Sequence, residues 1–163
     1  MAIAIVGAAL GVWNTIASFR RNRISLRVIP KLYDRVGGAV ISWDRYDPKF
    51  HSRLGLARFC IEVQNTGRVA VTIDEVGFTQ QKNKMHRFVI IEPLLSDGSK
   101  LPKRLEPLDS VVAYGNQTPM DFHALSEVKA AYAETGNGRI FTGTSQMLNH
   151  LVNVAKEGGI NKA

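Results

Sequence analysis

The stretch LARFCIEVQNTGRVAVTIDEVGF, residues 56–78, is the part of the chain that decides the fold. Apolar and polar residues alternate along two runs that flank the tetrapeptide Asn65-Thr66-Gly67-Arg68. One face of the first run carries Phe59, Ile61 and Val63, and one face of the second carries Val69, Val71 and Ile73. Such alternation of β-branched residues is typical of strands with one buried face, and Asn and Gly allow a sharp turn. The stretch predicts two strands, joined either as a hairpin or across a sandwich.

Shorter stretches on both sides repeat this pattern. Further strands are predicted over residues 24–28, 39–43, 87–92, 109–114, 126–133 and 139–142, with an extended edge segment over 101–107. From Thr144 the pattern becomes helical: Thr144 or Ser145 can cap a helix that ends at Gly158-Gly159. About seven short strands at this spacing predict a mainly β protein, an immunoglobulin-like antiparallel β-sandwich followed by a short C-terminal helix.

Residues 1–19 form an uncharged run that ends at Arg20 and Arg21. At about 1.5 Å per residue, a helix of this length can just cross a hydrocarbon core of about 30 Å. A cleaved signal peptide, an interfacial helix and a buried helix of a soluble protein are the alternatives. The preferred interpretation is a single-pass transmembrane helix whose flanking arginines keep the β-domain on the cytoplasmic side. The predicted divisions are an anchor over 1–23, a sandwich over 24–143 and a helix with its tail over 144–163.

Small and polar residues lie on one stripe of this predicted membrane helix. They are spaced by four, three and four residues: Gly7, Gly11, Asn14 and Ser18. The first two form a GxxxG pair, which lets two helix backbones approach closely in lipid. The stripe predicts pairing with another membrane helix, including a homo-oligomer. The alternative is that small residues are simply common in short membrane spans.

The net charge of +7 is concentrated near this segment. Residues 1–33 contain no acid and five basic side chains: Arg20, Arg21, Arg23, Arg27 and Lys31. The other 130 residues hold 16 basic and 14 acidic side chains, so the body of the protein is nearly balanced. A basic cluster beside an apolar span is typical of contact with anionic lipid. Nucleic acid is therefore not expected as a partner.

A polar loop over residues 44–54 is a candidate recognition loop. Aromatic and basic side chains alternate in and beside it: Trp43, Arg45, Tyr46, Lys49, Phe50 and Arg53. Such residues can bind an acidic partner or nucleic acid. The alternative is a surface loop whose aromatic side chains pack back onto the sheet, and the even spread of charge elsewhere favours this alternative.

No group of residues has the spacing of a catalytic or metal site. The four histidines are scattered, none of them at a zinc-like spacing from another ligand, and the acids match no calcium-loop pattern. Cys60 is the single cysteine, so no disulfide can form within the chain. We therefore expect a protein that is not an enzyme and that needs no cofactor or metal.

Several phrases resemble one family. They are Val63-Gln64-Asn65-Thr66-Gly67, Val71-Thr72-Ile73 with Val76-Gly77-Phe78, the segment 101–107, and Tyr132 with Thr135-Gly136. In this order they resemble the small immunoglobulin-like domains found behind a single N-terminal membrane helix in uncharacterised bacterial and phage proteins. The resemblance covers most of the chain and implies the fold rather than a set of functional residues. Relatives of this kind usually have Gly where Leu108 stands.

Two functions are compatible with these features. The first is a membrane-anchored module that presents loops and edge strands to a protein partner. The second is a structural subunit of a phage, viral or other membrane-associated assembly, in which residues 1–19 contact neighbouring subunits or a membrane.

Overall fold

The protein is mainly β and contains two antiparallel sheets. The computed structural model describes Trp13 and residues 23–48, 58–80, 86–115 and 122–157. The first five strands are β1 (Leu26–Val36), β2 (Ala39–Trp43), β3 (Arg58–Asn65), β4 (Val71–Gln80) and β5 (Arg87–Val89). The next five are β6 (Leu94–Leu95), β7 (Lys103–Leu105), β8 (Ser110–Tyr114), β9 (Val128–Thr135) and β10 (Ile140–Gly143). Two helices, α1 (Phe122–Glu127) and α2 (Gln146–Lys156), flank the last two strands.

The two strands of the stretch 56–78 belong to different sheets. Sheet A has the order β2-β1-β3-β8-β6, and sheet B has the order β10-β9-β4-β5, with β7 also pairing with β4. Of the two arrangements that the sequence left open, the strands therefore join across a sandwich. The core lies between the sheets, where Phe59 of β3 meets Phe78 of β4 edge to face at 5.3 Å between ring centroids.

Asn65 fixes the link between these strands. Its side chain is 1% exposed, and its Nδ2 donates to the carbonyl oxygens of Val69 and Leu105 at 2.9 and 3.1 Å. Its Oδ1 accepts the backbone N–H of Gly67 at 3.0 Å. Buried polar groups are stable only when hydrogen-bonded, so an amide with both donors and acceptors is suited to this position.

The two sheets come into close backbone contact at Gly143. A Cβ at this position would overlap the carbonyl oxygen of Val28, so the end of β10 lies directly against β1. Only glycine leaves room for two backbones at this separation.

Helix α2 covers one side of the core. Ser145 is its N-cap, and the Ser145 hydroxyl accepts the N–H of Leu148 at 3.1 Å. Its buried face is formed by Met147, Leu148, Leu151 and Val152. The sequence prediction of a capped C-terminal helix is confirmed.

The number and bounds of several strands differ from the prediction. The described residues form ten strands rather than about seven. The first strand continues through Pro30 and ends at Val36. Strand β2 pairs with β1 only from Leu32 onward, so Pro30 has a paired strand, β3, on one side only. A strand tolerates a residue without an N–H at such an edge.

Two other predicted strands have different bounds. Strand β5 ends at Val89 rather than at residue 92, since the chain leaves sheet B there. The segment 126–133 begins in helix α1, and its strand starts at Val128.

Apart from Trp13, the predicted membrane helix, with Gly7, Gly11, Asn14 and Ser18, lies outside the described residues. Among the residues that are described, no helix has both the length and the apolar character needed to cross a bilayer.

Candidate functional site

A groove of about 510 Å³ opens where the chain crosses from one sheet to the other. Strand β5 is the last strand of sheet B, and β6 is the last strand of sheet A. The crossing segment between them, residues 90–93, forms one wall of the groove, and residues 98–101 form another. We call this feature the Ile91 groove. It is bounded by the residues of the segments 74–75, 89–95 and 98–101.

Apolar side chains at the groove face solvent. Val89, Ile91 and Leu94 are 44, 66 and 49% exposed. Single exposed apolar residues are common on protein surfaces, whereas several around one groove are typical of an interaction site. Among the described residues with large exposed apolar side chains, these three are neighbours along one groove, while Val40 and Ile41 lie on β2.

The groove is also acidic. Asp74, Glu75 and Glu92 line it together with a single basic side chain, Lys100. Lys103, which is close in sequence, is bound to Asp97 at 2.7 Å. The hydrogen bonds from Lys103 and Ser99 hold the pKa of the Asp97 carboxyl well below its usual range. The excess of carboxylates therefore favours a cationic group in the groove.

Tyr132 holds Glu75 from inside the sandwich. The phenol of Tyr132, which is 0% exposed, donates a hydrogen bond to the carboxylate of Glu75. Burial, and then this hydrogen bond, raises the pKa of Tyr132, so the phenol stays neutral and remains a donor. Arg87 lies over the Tyr132 ring at 5.3 Å from its centroid and is bound to Glu134 at 2.5 Å. Glu75, which lines the groove, is thus held in place by a buried partner rather than being a mobile surface charge.

The backbone at the groove is held in a specific conformation. Ile90 donates its N–H to the carbonyl of Val76 at 3.0 Å, and this bond is the last link to sheet B before the crossing. Glu92 then adopts a positive φ of 47°, which is uncommon for a residue with a side chain. Gly77 lies beneath: a Cβ there would overlap the carbonyl oxygen of Phe88. Any residue larger than glycine at this position would push β5 and the groove away from β4.

A second cavity, of about 480 Å³, lies at the seam between β1 and β10. Its lining is mostly polar and includes Arg27 and Arg45. The first turn of α2 borders it, but two of its N–H groups already have partners: Met147 donates to the Asp44 carbonyl at 2.9 Å, and Leu148 donates to the Ser145 hydroxyl. The first turn therefore offers few donors to a ligand.

The predicted recognition loop is only partly described. Trp43 and Tyr46 are half-buried and pack against the core, and Tyr46 stacks on His150 with 3.9 Å between ring centroids. Arg45 is exposed. Lys49, Phe50 and Arg53 lie outside the described residues. For the two described aromatic residues, the structure agrees with the alternative interpretation, in which the loop packs back onto the domain.

The predicted lipid-contacting residues have different surroundings. Arg23 and Arg27 are exposed, and Arg20 and Arg21 lie outside the described residues. Lys31 is bound to Glu62 at 2.5 Å, and this hydrogen bond raises the pKa of Lys31. Lys31 is therefore held on the outer face of sheet A by a partner within the domain.

Cys60 and Glu62 are two residues apart on β3, and burial affects the pKa of both side chains. Burial alone would raise the pKa of Glu62, but hydrogen bonds from Lys31 and Gln64 outweigh burial and lower it. Burial raises the pKa of the Cys60 thiol to about 12. The thiolate is the nucleophilic form of cysteine, so this thiol is inert at neutral pH.

Little in the sequence indicates the Ile91 groove. Residues 87–92 had the pattern of a short strand, because Phe88, Val89, Ile90 and Ile91 form one apolar run that ends before Glu92 and Pro93. A residue before proline is restricted to extended conformations in most cases, which marks a strand boundary but not an exposed groove. Among the described residues, no group of three His, Cys, Asp or Glu side chains is placed to hold a metal ion. The chain matches no family model, no curated protein and no solved structure.

Proposed function

We propose that the chain is a non-enzymatic, membrane-anchored protein-interaction module whose immunoglobulin-like sandwich binds a peptide segment of a protein partner in the Ile91 groove. The observation that carries this proposal is the group of exposed apolar side chains around an acidic groove, Val89, Ile91 and Leu94.

The strand order supports the immunoglobulin-like part of the proposal. In such sandwiches, strands A, B, E and D form one sheet and strands C, F and G form the other. The order β1-β3-β8-β6 in sheet A and β10-β9-β4 in sheet B corresponds to this arrangement when β2, β5 and β7 are additional short strands. The Ile91 groove then lies on the side of the sandwich where the C and D strands leave their sheets.

The chemistry of the groove favours one kind of partner segment. Val89, Ile91 and Leu94 favour apolar side chains, while the carboxylates of Asp74 and Glu92 favour a Lys or Arg. Strand β5 ends sheet B, so its outer edge has no paired strand within the described part of the chain. Such an edge can pair with an extended segment. We therefore expect an extended peptide with a basic residue between apolar ones.

The anchor rests on the sequence of residues 1–23. Nineteen uncharged residues followed by arginines have the composition of a membrane span with a cytoplasmic flank. Cell fractionation followed by alkaline carbonate extraction tests it. We expect the full-length protein to stay in the membrane pellet, and its release into the supernatant would overturn the anchor.

Peptide binding is tested with the full-length protein in lipid nanodiscs as bait for a library of displayed random peptides. We expect enrichment of peptides in which Lys or Arg lies between apolar residues. Ile91→Asp should weaken their binding by about tenfold or more, as for a central interface residue. Val40→Asp, at an exposed apolar position on β2, is the matched control and should leave binding unchanged. Enrichment of no peptide, or equal loss in both variants, would contradict the proposal.

A further inference from the structure

The turn that carries Leu108 lies beside the place where the chain enters the sandwich. The backbone N–H of Leu108 donates to the carbonyl of Asn65 at 2.9 Å. On the other side, the N–H groups of Thr66 and Gly67 donate to the carbonyl of Ser25 at 2.9 and 3.0 Å. The tripeptide 65–67 is thus hydrogen-bonded both to the Leu108 turn and to the first residues of the domain. Leu108 and Arg23 therefore belong to one end of the molecule.

Leu108 is placed in solvent at a conformational cost. Its side chain is 86% exposed, and its φ is 70°, in the left-handed region that favours glycine. Neither burial nor backbone preference explains a leucine at this position. Residues held in such conformations are often functional, and an exposed leucine is suited to insertion into an apolar medium.

Two arginines lie at the same end of the domain as this leucine. Arg23 and Arg68 are exposed, and no ion pair joins either of them to an acid within the ranges that the structure describes. Two acids are close in sequence, and the charge of one of them is neutralised by an ion pair. Glu106 is bound to Arg104 at 2.8 Å, and the Asp109 carboxylate accepts the Glu106 N–H at 3.2 Å.

An exposed apolar side chain at the same end as two arginines that have no ion pair among the described residues has the chemistry of a membrane-docking surface, since the arginines attract anionic headgroups while the leucine enters the acyl region. We infer that this end of the domain, formed by Arg23, Arg68 and Leu108 and called the Leu108 surface, docks onto an anionic lipid bilayer. The inference rests on the proposed membrane anchor, because residues 1–22 precede this end directly in the chain. Docking would fix the orientation of the domain, so that the Ile91 groove is presented at a defined height above the lipid.

The test uses the full-length protein in vesicles, with a fluorescent probe sensitive to polarity on a cysteine introduced by Leu108→Cys. Cys60 is 0% exposed, so the reagent reaches only the introduced thiol. The matched control is His86→Cys, at an exposed position beside Gln80. Gln80 and Val71 are the two ends of β4 and lie nine residues apart, which is about 30 Å at the usual rise of a strand. Position 86 is therefore far from the end of β4 that follows Arg68.

In vesicles that contain phosphatidylglycerol, we expect the probe at position 108 to shift to the blue and to be quenched by brominated lipid. The probe at position 86 should remain accessible to aqueous iodide. Arg23→Gln and Arg68→Gln should each weaken docking by about fivefold, and added salt should weaken it further. Vesicles of phosphatidylcholine alone should give weaker docking.

Equal quenching by iodide at positions 108 and 86, in protein that floats with the vesicles, would overturn the inference and leave the anchor standing. Protection of position 108 only after a soluble protein is added would also overturn it, because the surface would then bind protein. Failure of the full-length protein to float with vesicles of either kind would overturn both the anchor and the docking.

Discussion

Replacing Asn65 tests how the two sheets are connected. Its side chain makes three buried hydrogen bonds, to the carbonyls of Val69 and Leu105 and from the N–H of Gly67. A buried hydrogen bond contributes about 1 kcal/mol, so Asn65→Ala should lower the free energy of unfolding by about 3 kcal/mol. For an m-value of about 2 kcal/mol/M, the urea midpoint falls by about 1.5 M. Circular dichroism of the full-length protein in mild detergent measures this shift.

Asn65→Asp separates the loss of hydrogen bonds from the loss of volume. The introduced carboxylate keeps the acceptor for Gly67 but places an oxygen opposite two carbonyl oxygens, and it buries a charge. At neutral pH this variant should be less stable than Asn65→Ala. Burial raises the pKa of the introduced carboxyl above its unfolded value of about 3.9, so stability should rise as the pH falls toward that value.

The neighbouring Gln64 provides the control, because its amide makes one partly exposed hydrogen bond, to Glu62. Gln64→Ala should cost less than about 1 kcal/mol. The reasoning is refuted if Asn65→Ala unfolds at the midpoint of Gln64→Ala, or if Asn65→Asp is the more stable of the two Asn65 variants at neutral pH.

Three further predictions test other parts of the structure. Leu108→Gly should raise the free energy of unfolding by about 0.5–1 kcal/mol, because it removes a left-handed leucine at some cost in chain entropy. Leu108→Ala should not raise it. Equal urea midpoints for both variants would contradict the backbone argument. Gly143→Ala should destabilise the protein by about 1–3 kcal/mol through overlap with Val28, while the adjacent exposed Thr142→Ala should change the urea midpoint little. Cys60 should not react with a disulfide reagent at pH 8 until the protein unfolds. The folded pKa of its thiol, about 12, exceeds the unfolded value of about 8.5. The contribution of this thiol to stability is therefore present below about pH 8.5 and is lost as the pH rises toward 12. Rapid labelling of the native thiol would show that it is accessible.

Much of the secondary structure follows from local patterns. Strand β2 has the predicted bounds, and Ser145 caps the last helix because its hydroxyl is placed to accept an N–H of the first turn. These features depend on residues close in sequence. The exit of β5 from sheet B at Val89 depends instead on which strands are neighbours, and alternation within one segment carries no information on that.

The candidate site was harder to predict for the same reason. The Ile91 groove combines Glu75 of β4 with a crossing segment more than ten residues away, and Tyr132 of β9 holds Glu75 in place by a hydrogen bond. The aromatic residues that the sequence placed in a recognition loop include Trp43 and Tyr46, which pack against the core. An aromatic residue beside basic ones has the same sequence pattern whether it faces a partner or the protein interior.

Site-specific photo-crosslinking from Ile91 tests the central claim most directly. A photoreactive amino acid replaces Ile91 in the full-length protein, in the cells that normally produce it, and a second strain carries the probe at the exposed Val40 of β2. We predict one discrete adduct from position 91, retained in the carbonate-resistant membrane pellet and suppressed by a peptide selected on the groove, with no such adduct from position 40. Absence of an adduct at position 91, or the same adducts from both positions, would contradict the assignment of the Ile91 groove as the partner-binding site.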